Sequence, residues 1–283
     1  MAVALNTPSW DCDALARSPW FASVRQFIER LPADRFPCAD DLSALAREGG
    51  VRSGGGAPLA FVPPAAGPGA AARHYEERIF RTGEVATRPG NWHDLFNALA
   101  WLAFPRTKAV LNRLHHDELA RRGDGPVRGT VRDVATLFDE GGLVVACAVP
   151  ELGRLLHEFR WKALFWERRA EAARSMRFLV FGHAILEHAL APFKGVTAKA
   201  LVLDVPGESL DDAALVGSLD VRAAEHFART EALASTQSLQ PLPVLGIPGW
   251  TPENGNPAFY DDTAVFRPGR ARRTGKGARS GAP

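Results

Sequence analysis

Residues 88–115, RPGNWHDLFNALAWLAFPRTKAVLNRLH, constrain the fold more than any other stretch, because they set polar side chains into a run that is apolar nearly all round. Asn91 fits the N-cap of a helix, and Asp94, three residues on, can return the bond in a capping box. Trp92, Leu95, Phe96, Leu99, Leu102 and Ala103 recur at three- and four-residue steps and form one wide apolar face. His93, Asp94 and Asn97 lie on the other side, which Trp101 and Phe104 make half aromatic. A helix with two apolar sides is a buried helix, so its polar residues need partners. Pro105 ends it and suits the first turn of the next helix, on which Lys108, Asn112 and His115 follow at i, i+4 and i+7 and share a face. A tight corner at Phe104-Pro105 would bring the first polar set towards the second.

Around this pair the chain reads as mixed α and β. Ser18-Pro19 can open a short helix carrying Trp20, Phe21, Val24, Phe27 and Ile28, and a second runs from Asp40 to Arg47 until Gly49-Gly50 stops it. Gly and Pro crowd residues 49–72, interrupted by PLAFVPP, a short strand candidate; the glycines at 54–56 and 67–69 read as linkers. HYEERIFRTGEVAT suggests a short helix or strand pair. Thr130 with Asp133 starts a helix that Gly141-Gly142 closes, and the β-branched run Leu143 to Val149 is a buried strand. Pro150 opens a long helical region through Phe165, and Arg177 to Leu190 reads as a further, almost wholly apolar helix with His183, Glu187 and His188. Ala200 to Val205 is the second strand; Ser209 and Asp212 cap a helix that breaks near Gly217 and restarts at Asp220. PLPVLGIPGWTPENGNPAFYDD is rich in turns and aromatics, an ordered irregular segment wrapped on the core.

These elements specify a helix-dominated single α+β domain with a small sheet and an irregular C-terminal wrap. Residues 1–57 form an N-terminal helical arm and Gly/Pro-rich linker, 58–268 the main globular domain, and 269–283 a basic disordered tail. The formal charge is +2, but Arg267, Arg270, Arg272, Arg273, Lys276 and Arg279 leave the remainder at about −4. Composition therefore does not suggest a groove for nucleic acid, and only the tail offers such a contact. Cys12, Cys38 and Cys147 lie far apart with no C-x-x-C pair, which argues against a disulfide framework or a zinc knuckle and for a reducing, cytoplasmic setting. No apolar run approaches membrane-spanning length, and the first residues lack the basic start of a signal peptide.

The pattern TRPGNWHDLFNALAWLAFPRTKAVLN closely resembles the signature of a bacterial family known as domain of unknown function 3025. Further matches lie in HYEERIFRTGEVATR, RDVATLFDEGG, RFLVFGHAILEHALAPFKGVTAKAL and PLPVLGIPGW, so the resemblance spans roughly residues 58 to 268. It implies no reaction, cofactor or catalytic residue, and the chemistry has to be argued from the side chains.

His183 and Glu187, four apart on one helix face, have the spacing of two metal ligands, and His93 and His115 extend the set to one that a divalent cation would accept. An i, i+4 His/Glu pair is equally an ordinary helical hydrogen bond, and a lone buried histidine is more often satisfied structurally. The His93-Asp94 doublet is similar to that of the HD phosphohydrolases, which would draw on His74 and on Asp133 or Asp139, but Phe96-Asn97 departs from that context. Without metal, His93 could act as general base oriented by Asp94, with Asn97, Lys108, Asn112 or Arg88 stabilising negative charge. No serine or cysteine sits in a nucleophile elbow. Asp139 and Glu140 end a helix against its dipole and so require a cation, for which Arg132 is the near candidate. The leading expectation is an intracellular hydrolase with a His/carboxylate centre, working either with a divalent metal or with His93 as base, on a small molecule or phosphoester. The competing one is a binding or scaffold protein whose buried polar motif is structural.

Overall fold

In the computed structural model, which describes residues 9–64, 75–122, 130–205 and 214–269, the apolar runs condense into a single hydrophobic cluster around a four-stranded sheet. The chain begins with helices α1 (Cys12–Arg17), α2 (Arg25–Ile28) and α3 (Ala39–Glu48), then strand β1 (Ala60–Val62), α4 (Tyr75–Thr82) and β2 (Glu84–Ala86). The long pair follows as α5 (Trp92–Ala103) and α6 (Pro105–Arg122), then α7 (Thr130–Gly141), β3 (Gly142–Cys147), α8 (Pro150–His157), α9 (Arg169–Ser175) and β4 (Met176–Val180). Helix α10 (His183–His188), β5 (Thr197–Asp204), α11 (Ala214–Phe227) and β6 (Gln240–Pro243) complete it, ahead of short 3-10 turns up to Asp261. This is the α+β architecture that the pattern of runs implies.

The main sheet has the order β4-β3-β5-β6, with β3 parallel to β5 and antiparallel to β4. Every residue of β3 is buried, as expected for a central strand of β-branched and apolar residues covered on both faces. Strands β1 and β2 form a separate parallel pair, with Phe61 opposite Val85. Trp20, Phe21, Val24 and Ile28 from the first thirty residues join the same core as β3, and Phe21 stacks on Phe96 of α5.

Four expectations are corrected by tertiary contacts. Arg177 to Val180 is a strand, not the start of a helix, because Phe178, Leu179 and Val180 pair with β3 in the register Leu143↔Val180 to Cys147↔Met176. The helix there begins only at His183. The long helix from Pro150 stops at Phe159, whose φ of +61° ends it in the left-handed position usually given to glycine, and a π-type turn at Ala163–Glu167 follows. Helix α11 is unbroken through Gly217, and Asp220 sits inside it, buried. Its carboxylate accepts from the backbone N–H groups of Arg106 and Thr107 at 2.9 and 2.8 Å, capping α6 from a different helix. Gly54 is seated against α6 rather than spanning open space: a Cβ there would lie 2.5 Å from the carbonyl oxygen of Ala109. His74, Ser209, Asp212, the glycines at 67–69 and the chain beyond Gly269 lie outside the described residues.

No helix among the described residues is long and apolar enough to cross a membrane.

Candidate functional site

Helices α4, α5 and α6, the end of α7 and the start of α10 enclose a cavity of about 610 Å³. Asn91 caps α5, its side chain accepting from the Asp94 N–H at 3.0 Å. Asp94 does not return the bond. Its carboxylate takes the Arg88 backbone N–H and the guanidinium, each at 2.8 Å, because the turn before the helix brings that larger cationic donor set within reach. Burial alone would raise the Asp94 carboxyl, but these bonds outweigh it and hold it below the ordinary carboxylate value.

The corner at Phe104-Pro105 brings the polar sets of α5 and α6 together. Lys108, only 4 % exposed, donates to Asn97 Oδ1 at 2.8 Å and to Asp139 Oδ1 at 2.6 Å, and stands over the Trp101 ring. The cation that the end of α7 requires is therefore Lys108 and not Arg132. The reason is distance in space: sequence proximity favours Arg132, while the α5–α6 corner delivers Lys108. Burial pushes the Asp139 carboxyl up, yet Lys108 and then His183 pull it down further, leaving it below its ordinary value. Asn112 is fully engaged: its Nδ2 donates to the carbonyl and carboxylate of Glu76 at 3.0 and 2.7 Å, and its Oδ1 accepts from the Gly54 N–H at 3.1 Å. That side chain ties the Gly54 loop and α4 to α6.

The metal-type set assembles differently from its spacing in sequence. His93 Nδ1 lies 2.8 Å from Glu187 Oε2, and the His93 and His183 rings meet edge to face at 4.5 Å. His183 Nε2 is 3.2 Å from Glu140 Oε2, and that hydrogen bond is the main reason the Glu140 carboxyl sits below its ordinary value. His183 Nδ1 is buried without a hydrogen bond, with Asp139 Oδ2 at 3.8 Å, too far for one. His93, Glu140 and His183 each present one ligand atom, all within 4.8 Å of one another. Glu187 and His115 stand outside that trio. Glu187 holds His93 instead, and His115 lines the cavity from α6 with its Nδ1 buried and unbonded.

Gly182 makes the approach of α10 to α7 feasible. A Cβ on it would fall 2.4 Å from both the Glu140 carbonyl oxygen and the Gly142 nitrogen, so any side chain there would push His183 away from Glu140. Sequence reasoning named neither Glu140 as a partner of His93 and His183 nor Tyr75 as part of the cavity. Glu140 did carry a signal, a carboxylate set against a helix dipole, whereas Tyr75 carried none beyond its motif. Tyr75 accepts from Asn97 Nδ2 at 3.0 Å and lines the cavity.

The family profile described as "Protein of unknown function (DUF3025)" matches residues 59–270, three quarters of the chain, and the chain belongs to that family. No curated protein and no solved structure matches it significantly.

Proposed function

We propose that this member of the DUF3025 family is a hydrolase that binds a small molecule in the α5–α6 cavity and uses a divalent cation held by His93, Glu140 and His183. The single observation that carries this reading is the convergence of those three ligand atoms on one wall of an open cavity. Nitrogen and oxygen ligands of a tetrahedral zinc stand about 3.3 Å apart. His183 Nε2 and Glu140 Oε2 are 3.2 Å apart. His93 also has a hydrogen-bonded carboxylate behind it, Glu187, the arrangement that orients a ligating imidazole and raises its basicity.

Charge supports the same reading. Four carboxylates line the cavity (Glu76, Asp94, Asp139 and Glu140) against two permanent cations, Arg88 and Lys108, so the site favours a cation. A divalent ion held by His93, Glu140 and His183 would supply activation of a water for attack. The protein's own part is to orient the ligands, to wall the site with Asn97, Trp101 and Lys108, and to place His115 beside it. The free thiols Cys12, Cys38 and Cys147 suit a reducing cytoplasm, which we include in the proposal.

The competing reading, a binding or scaffold protein, has one observation in its favour: Glu140 and His183 already satisfy each other without an ion. Metal content separates the two. Protein purified without a histidine tag is expected to hold near-stoichiometric divalent metal by inductively coupled plasma mass spectrometry, and a folded His93→Ala, His183→Ala double variant to hold none. Absence of metal from the unmodified protein, even after incubation with Zn²⁺, would leave the scaffold reading.

A further inference from the structure

Tyr75 has a proton to give, and its surroundings show where. Lys108 can only donate hydrogen bonds, so the atom of Asn97 it contacts at 2.8 Å is the amide oxygen. This settles the orientation of the amide, and the other end, Nδ2, donates to the Tyr75 oxygen at 3.0 Å. The phenol therefore receives a bond from Asn97, while its own O–H has no acceptor among the described residues. Tyr75 lines the same cavity as Asn97, Asp139 and Glu140. The chain Asp139–Lys108–Asn97–Tyr75, with links of 2.6, 2.8 and 3.0 Å, holds the phenol oxygen in place from behind.

The charges around it define the class of molecule that can accept that proton. Both permanent cations are already neutralised, Arg88 by Asp94 and Lys108 by Asp139. Four carboxylates, two cations and one divalent ion bring the cavity to neutrality. With that balance a phosphate dianion would bring two uncompensated negative charges into a cavity that already holds Glu76 and Glu140, whereas a neutral molecule adds no charge.

Building on the hydrolase reading above, we propose that the substrate is a neutral acyl compound, an amide or ester, and that Tyr75 donates its O–H to the acyl oxygen as negative charge develops there. Water adds to the acyl carbon, the bond from that carbon to nitrogen or oxygen breaks, and the proton shed by the water ends on the departing group. Tyr75 keeps its own proton throughout and acts as a hydrogen-bond donor. Burial, with Glu76 and Asp139 nearby, holds the phenol above its ordinary value, consistent with a group that does not ionise.

The test compares the full-length chain with Tyr75→Phe. Zn²⁺ uptake is measured first by titration calorimetry and is expected to be the same in both. Acetamide, a neutral acyl compound, and inorganic phosphate are then titrated into each Zn²⁺-loaded protein. Acetamide is expected to bind the unmodified protein more tightly than phosphate, and to bind Tyr75→Phe about tenfold more weakly, the value of one lost hydrogen bond. Phosphate binding as tightly as acetamide, an unchanged acetamide affinity in Tyr75→Phe, or loss of Zn²⁺ uptake in that variant alone each overturns the inference while the hydrolase reading stands. Failure of the unmodified protein to take up Zn²⁺ overturns the hydrolase reading and this inference with it.

Discussion

Glu187 Oε2 stands 2.8 Å from Nδ1 of His93, so the ring nitrogen of His93 left for a ligand is Nε2. The contact joins the last turn of α10 to the first turn of α5, ninety-four residues apart. A carboxylate in that position orients a ligand without binding the ion itself. Glu187→Ala is therefore expected to lower Zn²⁺ affinity about 10- to 100-fold while leaving the far-ultraviolet circular dichroism unchanged. An affinity equal to that of the unmodified protein would show that Glu187 has no orienting role.

Lys108 is the electrostatic centre of the cavity wall. Replacing it by methionine keeps much of its apolar stem but strands the Asp139 carboxylate and the Asn97 carbonyl in a buried setting. Removing one partner of such a buried pair costs about 3–5 kcal/mol, and thermal or urea unfolding should show a loss of that size. Lys108→Met combined with Asp139→Leu should recover much of it, since no charge is then left unpaired. A double variant no more stable than the single one would locate the loss in packing.

The Asp139 carboxyl sits below its ordinary value of 3.8 in the folded protein. A depressed folded value means that its ion pair contributes fully above 3.8 and is lost as the pH falls through the lower, folded value. The stability gap between the unmodified protein and Asp139→Asn should hold steady down to about pH 5 and close as the pH is lowered further, below the ordinary carboxylate value. Urea titrations along that series measure it, and a gap that widens in acid would reverse the sign assigned here.

Gly182 is squeezed between two backbones. In Gly182→Ala the new methyl would sit 2.4 Å from the Glu140 carbonyl oxygen and the Gly142 nitrogen, neither of which can rotate away. Overpacking of this kind costs about 1–3 kcal/mol. The same shift separates His183 from Glu140, so Zn²⁺ uptake should fall together with the melting temperature. Full uptake in a destabilised variant would show that the trio tolerates movement of α10.

Much of this protein is legible along the chain. The N-cap at Asn91, the stop and restart at Phe104-Pro105, the shared face of Lys108, Asn112 and His115, and the buried strand through Val144 and Val145 all follow from local rules. A cap, a proline and an apolar period act over four or five residues, and sequence displays those distances directly. The α+β class follows as well, because the apolar run of β3 and the helical periods around it admit few other arrangements.

Tertiary structure alone decided which polar groups meet. Helical spacing paired His183 with Glu187, yet His183 faces Glu140 and Glu187 faces His93, since α7 and α5 pack against α10 and bring those partners within reach. Asp220, seemingly the restart of a broken helix, caps α6 instead. The cation for α7 came from Lys108, thirty-one residues away, and not from Arg132 in the same helix. Local backbone preference is worth only tenths of a kcal/mol per residue, so sheet pairing can override it. A buried charge left unpaired costs several kcal/mol, so each polar group in the core takes whichever partner the packing brings within about 3 Å, whatever their separation in sequence.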